Sequence, residues 1–132
     1  MQYGTVVQGR FLTRPNRFIA LVEIAGVETV CHVKNTGRCR ELLRPGATVY
    51  LERSGNLLRK TAFDLIAVDK DGLLVNMDAQ APNKVFGEFA RSFEPTTLDV
   101  KPEFVYGASR LDFCLTTPMG LHLVEVKGVT LE

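Results

Sequence analysis

Asp112, Glu125 and Lys127 are the residues of this chain whose types and spacing could do chemistry. Asp112 stands in the run Ser109-Arg110-Leu111-Asp112-Phe113-Cys114-Leu115, and the other two in Leu121-His122-Leu123-Val124-Glu125-Val126-Lys127. Both runs are otherwise strand-like and apolar. Strand side chains alternate faces, so Arg110, Asp112 and Cys114 share one face, and Leu123, Glu125 and Lys127 share one face of the partner. Pairing Thr116 with Leu121 across a four-residue loop sets Asp112 opposite Glu125 and Arg110 opposite Lys127. Facing carboxylates repel, and a sheet has little reason to hold them unless a cation lies between. The pattern reads as the start of a metal site. Its structural alternative is a solvated edge strand with an i, i+2 charge pair, since Glu-x-Lys by itself is common.

The elements that must position these residues fall into two groups. Residues 5–13, 17–25, 27–33, 48–53 and 57–68 read as strands punctuated by Gly, Pro and Asn, with one or two helical turns over 38–43 ended by Pro45-Gly46. Phe18, Ala20, Val22 and Ile24 fall on one face, which assigns Phe18 to the core. Five strands with a short helix between the third and fourth is the order of an OB-fold barrel, and such barrels grip nucleic-acid strands with basic and aromatic side chains. Arg10, Arg17, Lys34, Arg38 and Arg40 are the candidate contacts. Asp71-Gly72 predicts a hairpin turn between 63–68 and 73–77. Residues 79–82 form a linker, Asn83 caps a helix running to Phe93 with Phe86, Phe89, Ala90 and Phe93 on one stripe, and 101–106 starts the strands that lead to Asp112. The fold class is α+β, with domains at 1–78 and 79–132.

Charge divides along the same line. Residues 1–60 hold ten Lys/Arg against four Asp/Glu, a net of +6, and residues 61–132 hold six against eleven, a net of −5. A basic half beside an acidic half suits polyanion binding in one module and cation binding in the other. Cys31, Cys39 and Cys114 are odd in number with no metal-ligand spacing, which points to reduced thiols in a cytoplasmic protein. His32 and His122 sit inside apolar strand patterns and read as structural. No apolar run is long enough to suggest a membrane partner. A small-molecule enzyme has little support, since there is no Gly-rich phosphate loop, nucleophile elbow or His-based dyad. Asp69-Lys70-Asp71-Gly72 lacks the further ligands of a calcium loop and reads as the hairpin turn.

Five strings run nearly the whole chain in order: His32-Val33-Lys34-Asn35-Thr36-Gly37-Arg38, Leu43-Arg44-Pro45-Gly46, Ala81-Pro82-Asn83, Tyr106-Gly107-Ala108-Ser109-Arg110-Leu111-Asp112-Phe113 and Glu125-Val126-Lys127-Gly128-Val129-Thr130-Leu131. Together they resemble the sugar fermentation stimulation protein A family, whose members are described as DNA-binding. The resemblance implies an N-terminal OB-fold followed by a PD-(D/E)xK restriction-endonuclease-like α/β core, incomplete here because family members continue well past residue 132. It implies a fragment, or a homodimer completed by swapping. It also aligns Asp112, Glu125 and Lys127 with the three motif positions. Glu88 is the candidate for the acid that some of these nucleases carry on their first helix, with Glu103 as its competitor. Asn35 joins the candidate nucleic-acid contacts.

Phosphodiester hydrolysis at such a site needs an activated water and neutralisation of developing charge, which Mg²⁺ or Mn²⁺ supplies. Asp112 and Glu125 would give carboxylates, Val126 a backbone carbonyl, and Lys127 an ammonium for the attacking water or the scissile phosphate. Arg110 would hold a neighbouring phosphate oxygen. The expected function is therefore a DNA-binding, metal-dependent nuclease, acting on DNA or RNA. The alternative is a non-catalytic, sequence-independent DNA-binding factor influencing sugar (maltose) metabolism.

Overall fold

The computed structural model describes residues 1–130, which divide into two compact units, Gln2–Ala79 and Gln80–Val129. Leu131 and Glu132, the end of the last string and of the second expected domain, lie outside the described residues.

The first unit is a closed barrel. Its strands are β1 (Val6–Thr13), β2 (Ile19–Ile24), β3 (Val27–Val33), β4 (Thr48–Arg53) and β5 (Phe63–Lys70), with β6 (Leu73–Asn76) added to β5 as a hairpin. Antiparallel pairings run β3-β2-β1-β4-β5, and a short parallel seam between β3 and β5, His32 with Asp64 and Val33 with Leu65, shuts the circle. Closure follows from the alternation in β2 to β4, where inward positions such as Ala20, Val22, Cys31, Val49 and Leu51 are fully buried and their neighbours less so, while β5 is buried on both faces from Asp64 to Val68. A β-bulge lets two strands bend around this core: β5 skips Ile66 between its pairs with Tyr50 and Leu51, and Ile66 accepts the Met77 amide at 2.7 Å instead.

Gly9 lies where β1 crosses the barrel interior. A Cβ there would stand 2.6 Å from Val22 Cγ1, 3.0 Å from Leu51 Cδ1 and 3.1 Å from the Glu23 carbonyl. Gly9→Ala is thus expected to overpack the core and destabilise the barrel by about 1–3 kcal/mol; urea denaturation of the variant checks this, and an unshifted midpoint would contradict it.

Several sequence expectations are corrected. The fifth strand begins at Phe63, not Leu57, because Ser54 and Asn56 turn the chain locally: Ser54 Oγ accepts the Asn56 amide at 3.1 Å and Asn56 Oδ1 the Leu58 amide at 3.0 Å. Leu57 and Leu58 are left 96% and 95% exposed. Residues 38–43 make a single turn rather than a helix, with the Leu42 and Leu43 amides both on the Cys39 carbonyl and Cys39 at φ 50°. Phe18 is 54% exposed rather than core, because β2 starts only at Ile19 and Phe18 lies beyond the packed layers.

The second unit contains α1 (Ala81–Phe93) and an antiparallel sheet ordered β7 (Asp99–Tyr106), β8 (Ser109–Thr117), β9 (Gly120–Val124). Phe86 of the helix stripe packs on Phe113 with ring centroids 5.1 Å apart, and Ala90 is fully buried. The expected cap moves: Gln80 occupies the N-cap and Pro82 the first turn, so Asn83 is inside the helix and its side chain is free to act elsewhere. Thr116 pairs with Leu121 as expected, but Thr117 also pairs with Gly120, so the loop tightens to two residues. On the other side of β8 the ladder skips Glu103 opposite Asp112; Glu103 has φ 53° and follows Pro102.

Candidate functional site

The β8–β9 ladder ends at Phe113 and Val124, one pair short of the expected Asp112–Glu125 match. Beyond it, the backbone turns so that the Val126 amide donates to Asp112 Oδ2 at 2.7 Å. Asn83 Nδ2 donates to Asp112 Oδ1 at 3.2 Å. Both carboxylate oxygens of Asp112 are thus held, one by the helix and one by the motif segment. Glu125 and Lys127 pair with each other at 3.6 Å in an exposed stretch. Glu88 pairs with the Met1 amino group, and Glu103 with Arg110 at 3.2 Å. So the structure gathers Asp112 with the Glu125–Lys127 segment and sends Glu88, Glu103 and Arg110 to other partners.

The candidate donors, the carboxylates of Asp112 and Glu125 and the Val126 carbonyl, are all oxygen, a chemistry that suits a hard divalent ion. Among the described residues no three His, Cys, Asp or Glu side chains gather as a metal cluster. Water would complete the shell, which is how Mg²⁺ is usually held. In that restricted sense the residues fit the ion.

A second arrangement lies wholly within the barrel unit. The β1–β2 turn and the segment after β3 enclose a cleft of about 660 Å³ whose lining includes Arg14, Arg17, Arg38 and Arg40 and no Asp or Glu. Arg17, Arg38 and Arg40 are exposed. Arg14, which sequence reasoning missed, plays a different part. Its guanidinium donates to the Arg38 carbonyl at 2.9 Å, the Arg17 carbonyl at 2.7 Å, and the carbonyls of Gly37 and Asn35, tying the two loops together. Its Nε is buried without a hydrogen bond. The planar fork of guanidinium suits such multiple donation. The one available signal was Arg14-Pro15-Asn16, a basic residue entering a turn, where Asn16 Oδ1 accepts the Phe18 and Ile19 amides.

The remaining candidates are engaged in the fold. Asn35 donates to the Met77 carbonyl at 3.0 Å and accepts the Gly37 amide at 2.8 Å, shaping the loop that carries Arg38. Lys34 is drawn inward to 3.7 Å from the buried Asp78, which also accepts the Tyr3 hydroxyl at 2.9 Å. Arg10 pairs with Glu23 at 3.3 Å.

At the β3–β5 seam, Arg59 grips Asp64 with two bonds of 3.0 and 2.6 Å, and His32 Nδ1 lies 3.1 Å from the same carboxylate. Burial works to raise the Asp64 pKa, but the hydrogen bond and charge of Arg59, then His32 and Lys34, outweigh it and hold the carboxyl below its ordinary range. The neighbouring Cys31 thiol is pushed up to about 12, first by burial and then by the Asp64 charge, so it is inert. All three cysteines are free.

The fold therefore defines an α+β chain in which a closed OB-type barrel precedes a helix and a three-stranded antiparallel sheet. Family comparisons agree: residues 12–77 match the SfsA N-terminal OB domain, and residues 80–132 match the sugar fermentation stimulation protein RE domain. The chain belongs to the sugar fermentation stimulation protein family. It is 53% identical over 133 residues to a sugar fermentation stimulation protein homolog of Desulfitobacterium hafniense (strain DSM 10664 / DCB-2), spanning 100% of this chain and 58% of that protein. A homolog from Clostridium beijerinckii is 51% identical over 135 residues, spanning 100% and 59%. Among solved structures, Pyrococcus furiosus SfsA in complex with Ca²⁺ superposes with a TM-score of 0.79 at 28% identity, covering 95% of this chain and 55% of that one. The chain thus spans little more than half the length of the relatives it matches.

Proposed function

We propose that this protein binds DNA or RNA through the arginine cleft of its barrel and contributes Asp112, Glu125 and Lys127 to a divalent-cation-dependent phosphodiesterase centre. The observation that carries the reading is the cleft: like charges repel, and three exposed arginines collected without an acid among them are stabilised by a polyanion. The Ca²⁺ held by the Pyrococcus relative supports a divalent ion in this family, and the oxygen donors at Asp112 suit Mg²⁺ or Mn²⁺ equally. Such an ion, when bound, neutralises charge on the phosphoryl group and acidifies water. The chain's own residues would do the rest: Asp112 and Glu125 hold the ion, Lys127 leaves Glu125 for the phosphate or the attacking water, and Arg110 holds a neighbouring phosphate oxygen. The reading places the protein in the cytoplasm and away from any membrane, as a monomer or as a homodimer formed by strand exchange. Among the described residues no helix is long and apolar enough to cross a membrane.

The second reading, a non-catalytic nucleic-acid-binding regulator of sugar metabolism, is favoured by the Glu125–Lys127 pair, which occupies both motif side chains with each other. A nicking assay separates the two. Cleavage requiring Mg²⁺ or Mn²⁺, and lost in Glu125→Ala and Lys127→Ala, is expected; binding that survives EDTA with no cleavage at any cation concentration would establish the regulator. Variants cutting as fast as the parent would remove the site assignment.

A further inference from the structure

The family strings around Asn83, Asp112 and Glu125 are far apart in sequence but meet in the second unit, and the structure shows what joins them. Asn83 Nδ2 holds Asp112 Oδ1, the Val126 amide holds Asp112 Oδ2, and Gly128 lies against Pro82, where an added Cβ would stand 2.9 Å from Pro82 Cγ. The first turn of α1 therefore touches the motif twice, once at the carboxylate and once at the backbone three residues past Glu125. An unfixed aspartate rotates about its terminal torsion through a broad range. Here one donor on each oxygen sets the plane of the carboxylate and, among the described residues, leaves one lone pair on each oxygen unused.

We propose that Asn83 is the positioning residue of the cation centre: it orients Asp112 so that the free lone pairs face a divalent ion, and the Asp112–Val126 bond then brings the Glu125 backbone alongside. The proposal rests on the cation reading given above. Because the helix starts at Ala81 with Gln80 at the N-cap position, Asn83 lies in the first turn, where its side-chain amide reaches Asp112. Residues that support metal ligands by hydrogen bonding typically change affinity by about 10–100-fold when removed.

Calorimetric titration of the chain with Ca²⁺ and with Mn²⁺, beside thermal midpoints with and without each ion, tests this. Asp112→Ala is expected to abolish binding. Asn83→Ala should weaken binding about tenfold or more and shrink the cation-induced rise in midpoint. Asn83→Asp places a like charge on Asp112, so its midpoint without cation should fall and its cation-induced rise should exceed the parent's. If Asn83→Ala binds as tightly as the parent while Asp112→Ala does not bind, the positioning role is wrong and the cation reading stands. If both Asn83 variants lose cation-free stability yet keep the parent's cation-induced rise, Asn83 is a structural brace only and the proposal fails. Binding by Asp112→Ala equal to the parent's, or none by the parent, would overturn the cation reading and the proposal with it.

Discussion

On the proposed reading, Arg14→Ala is expected to weaken nucleic-acid binding about tenfold although Arg17, Arg38 and Arg40 all remain. The guanidinium donates to four carbonyls, at Arg17, Asn35, Gly37 and Arg38, and these are the loops that present Arg17 and Arg38. Hydrogen bonds to a charged group contribute about 1.5–3 kcal/mol each in favourable cases, with strong non-additivity. A net loss of about 2–3 kcal/mol of local stability is therefore reasonable. The cations would remain but would have to be ordered by the ligand, which lowers affinity. Arg14→Lys should rescue little, because an ammonium has three donors and no planar fork. Arg17→Ala makes the contrast: it should reduce the salt dependence of binding by about one phosphate contact while leaving the loops in place. Fluorescence anisotropy over a salt series, with amide hydrogen exchange of residues 35–38, distinguishes the two effects. Equal exchange in parent and Arg14→Ala would contradict the account.

Arg59→Ala should destabilise the barrel by about 3 kcal/mol near neutral pH, toward the low end for breaking a buried ion pair because Arg59 is 30% exposed while Asp64 is 7% exposed. The seam it guards has two residue pairs, so nothing else in the β3–β5 ladder compensates. The pH dependence carries a definite sign. The folded-state pKa of Asp64 is lowered, so its contribution is fully present above the unfolded value of about 3.9 and is lost as pH falls through the folded value. In Arg59→Ala the desolvation of Asp64 is opposed only by His32 and Lys34, so protonating the carboxyl relieves the variant. The stability gap between parent and variant should therefore shrink on acidification below about pH 4. Urea titrations at several pH values measure that gap, and a gap that widens toward acid would show the Asp64 assignment to be wrong.

The barrel was legible in the sequence because its signal is local and repetitive. Period-two alternation in residues 19–24 and 48–53, with Pro, Asn and Gly between strands, is what a run of antiparallel strands with one buried face writes into a chain. Asp71-Gly72 was equally plain: φ values of 53° and 87° are what the two-residue turn demands. The misses share a cause, which is competition between local rules. Leu57 and Leu58 follow the Ser54-Gly55-Asn56 turn and read as the start of the next strand, but the side chains of Ser54 and Asn56 capture the amides first. The Asp112–Glu125 pairing followed correctly from register, yet register says nothing about where a ladder stops. It stops at Val124, and an aspartate then takes over a bond that a neighbouring strand would have made. Arg14 left only the Arg14-Pro15-Asn16 turn as a signal, because bonds from a side chain to distant irregular carbonyls have no periodicity to read.

The interruption at Glu103 bears on how the second unit meets other chains. With a proline lacking its amide proton at 102 and a left-handed residue beside it, β7 offers a poor template for another strand. β9 carries no proline, and its one positive φ, 128° at Gly120, falls at its first residue. Among the described residues the two borders of this sheet therefore differ: β7 is interrupted along its length, whereas β9 is continuous from Leu121 to Val124.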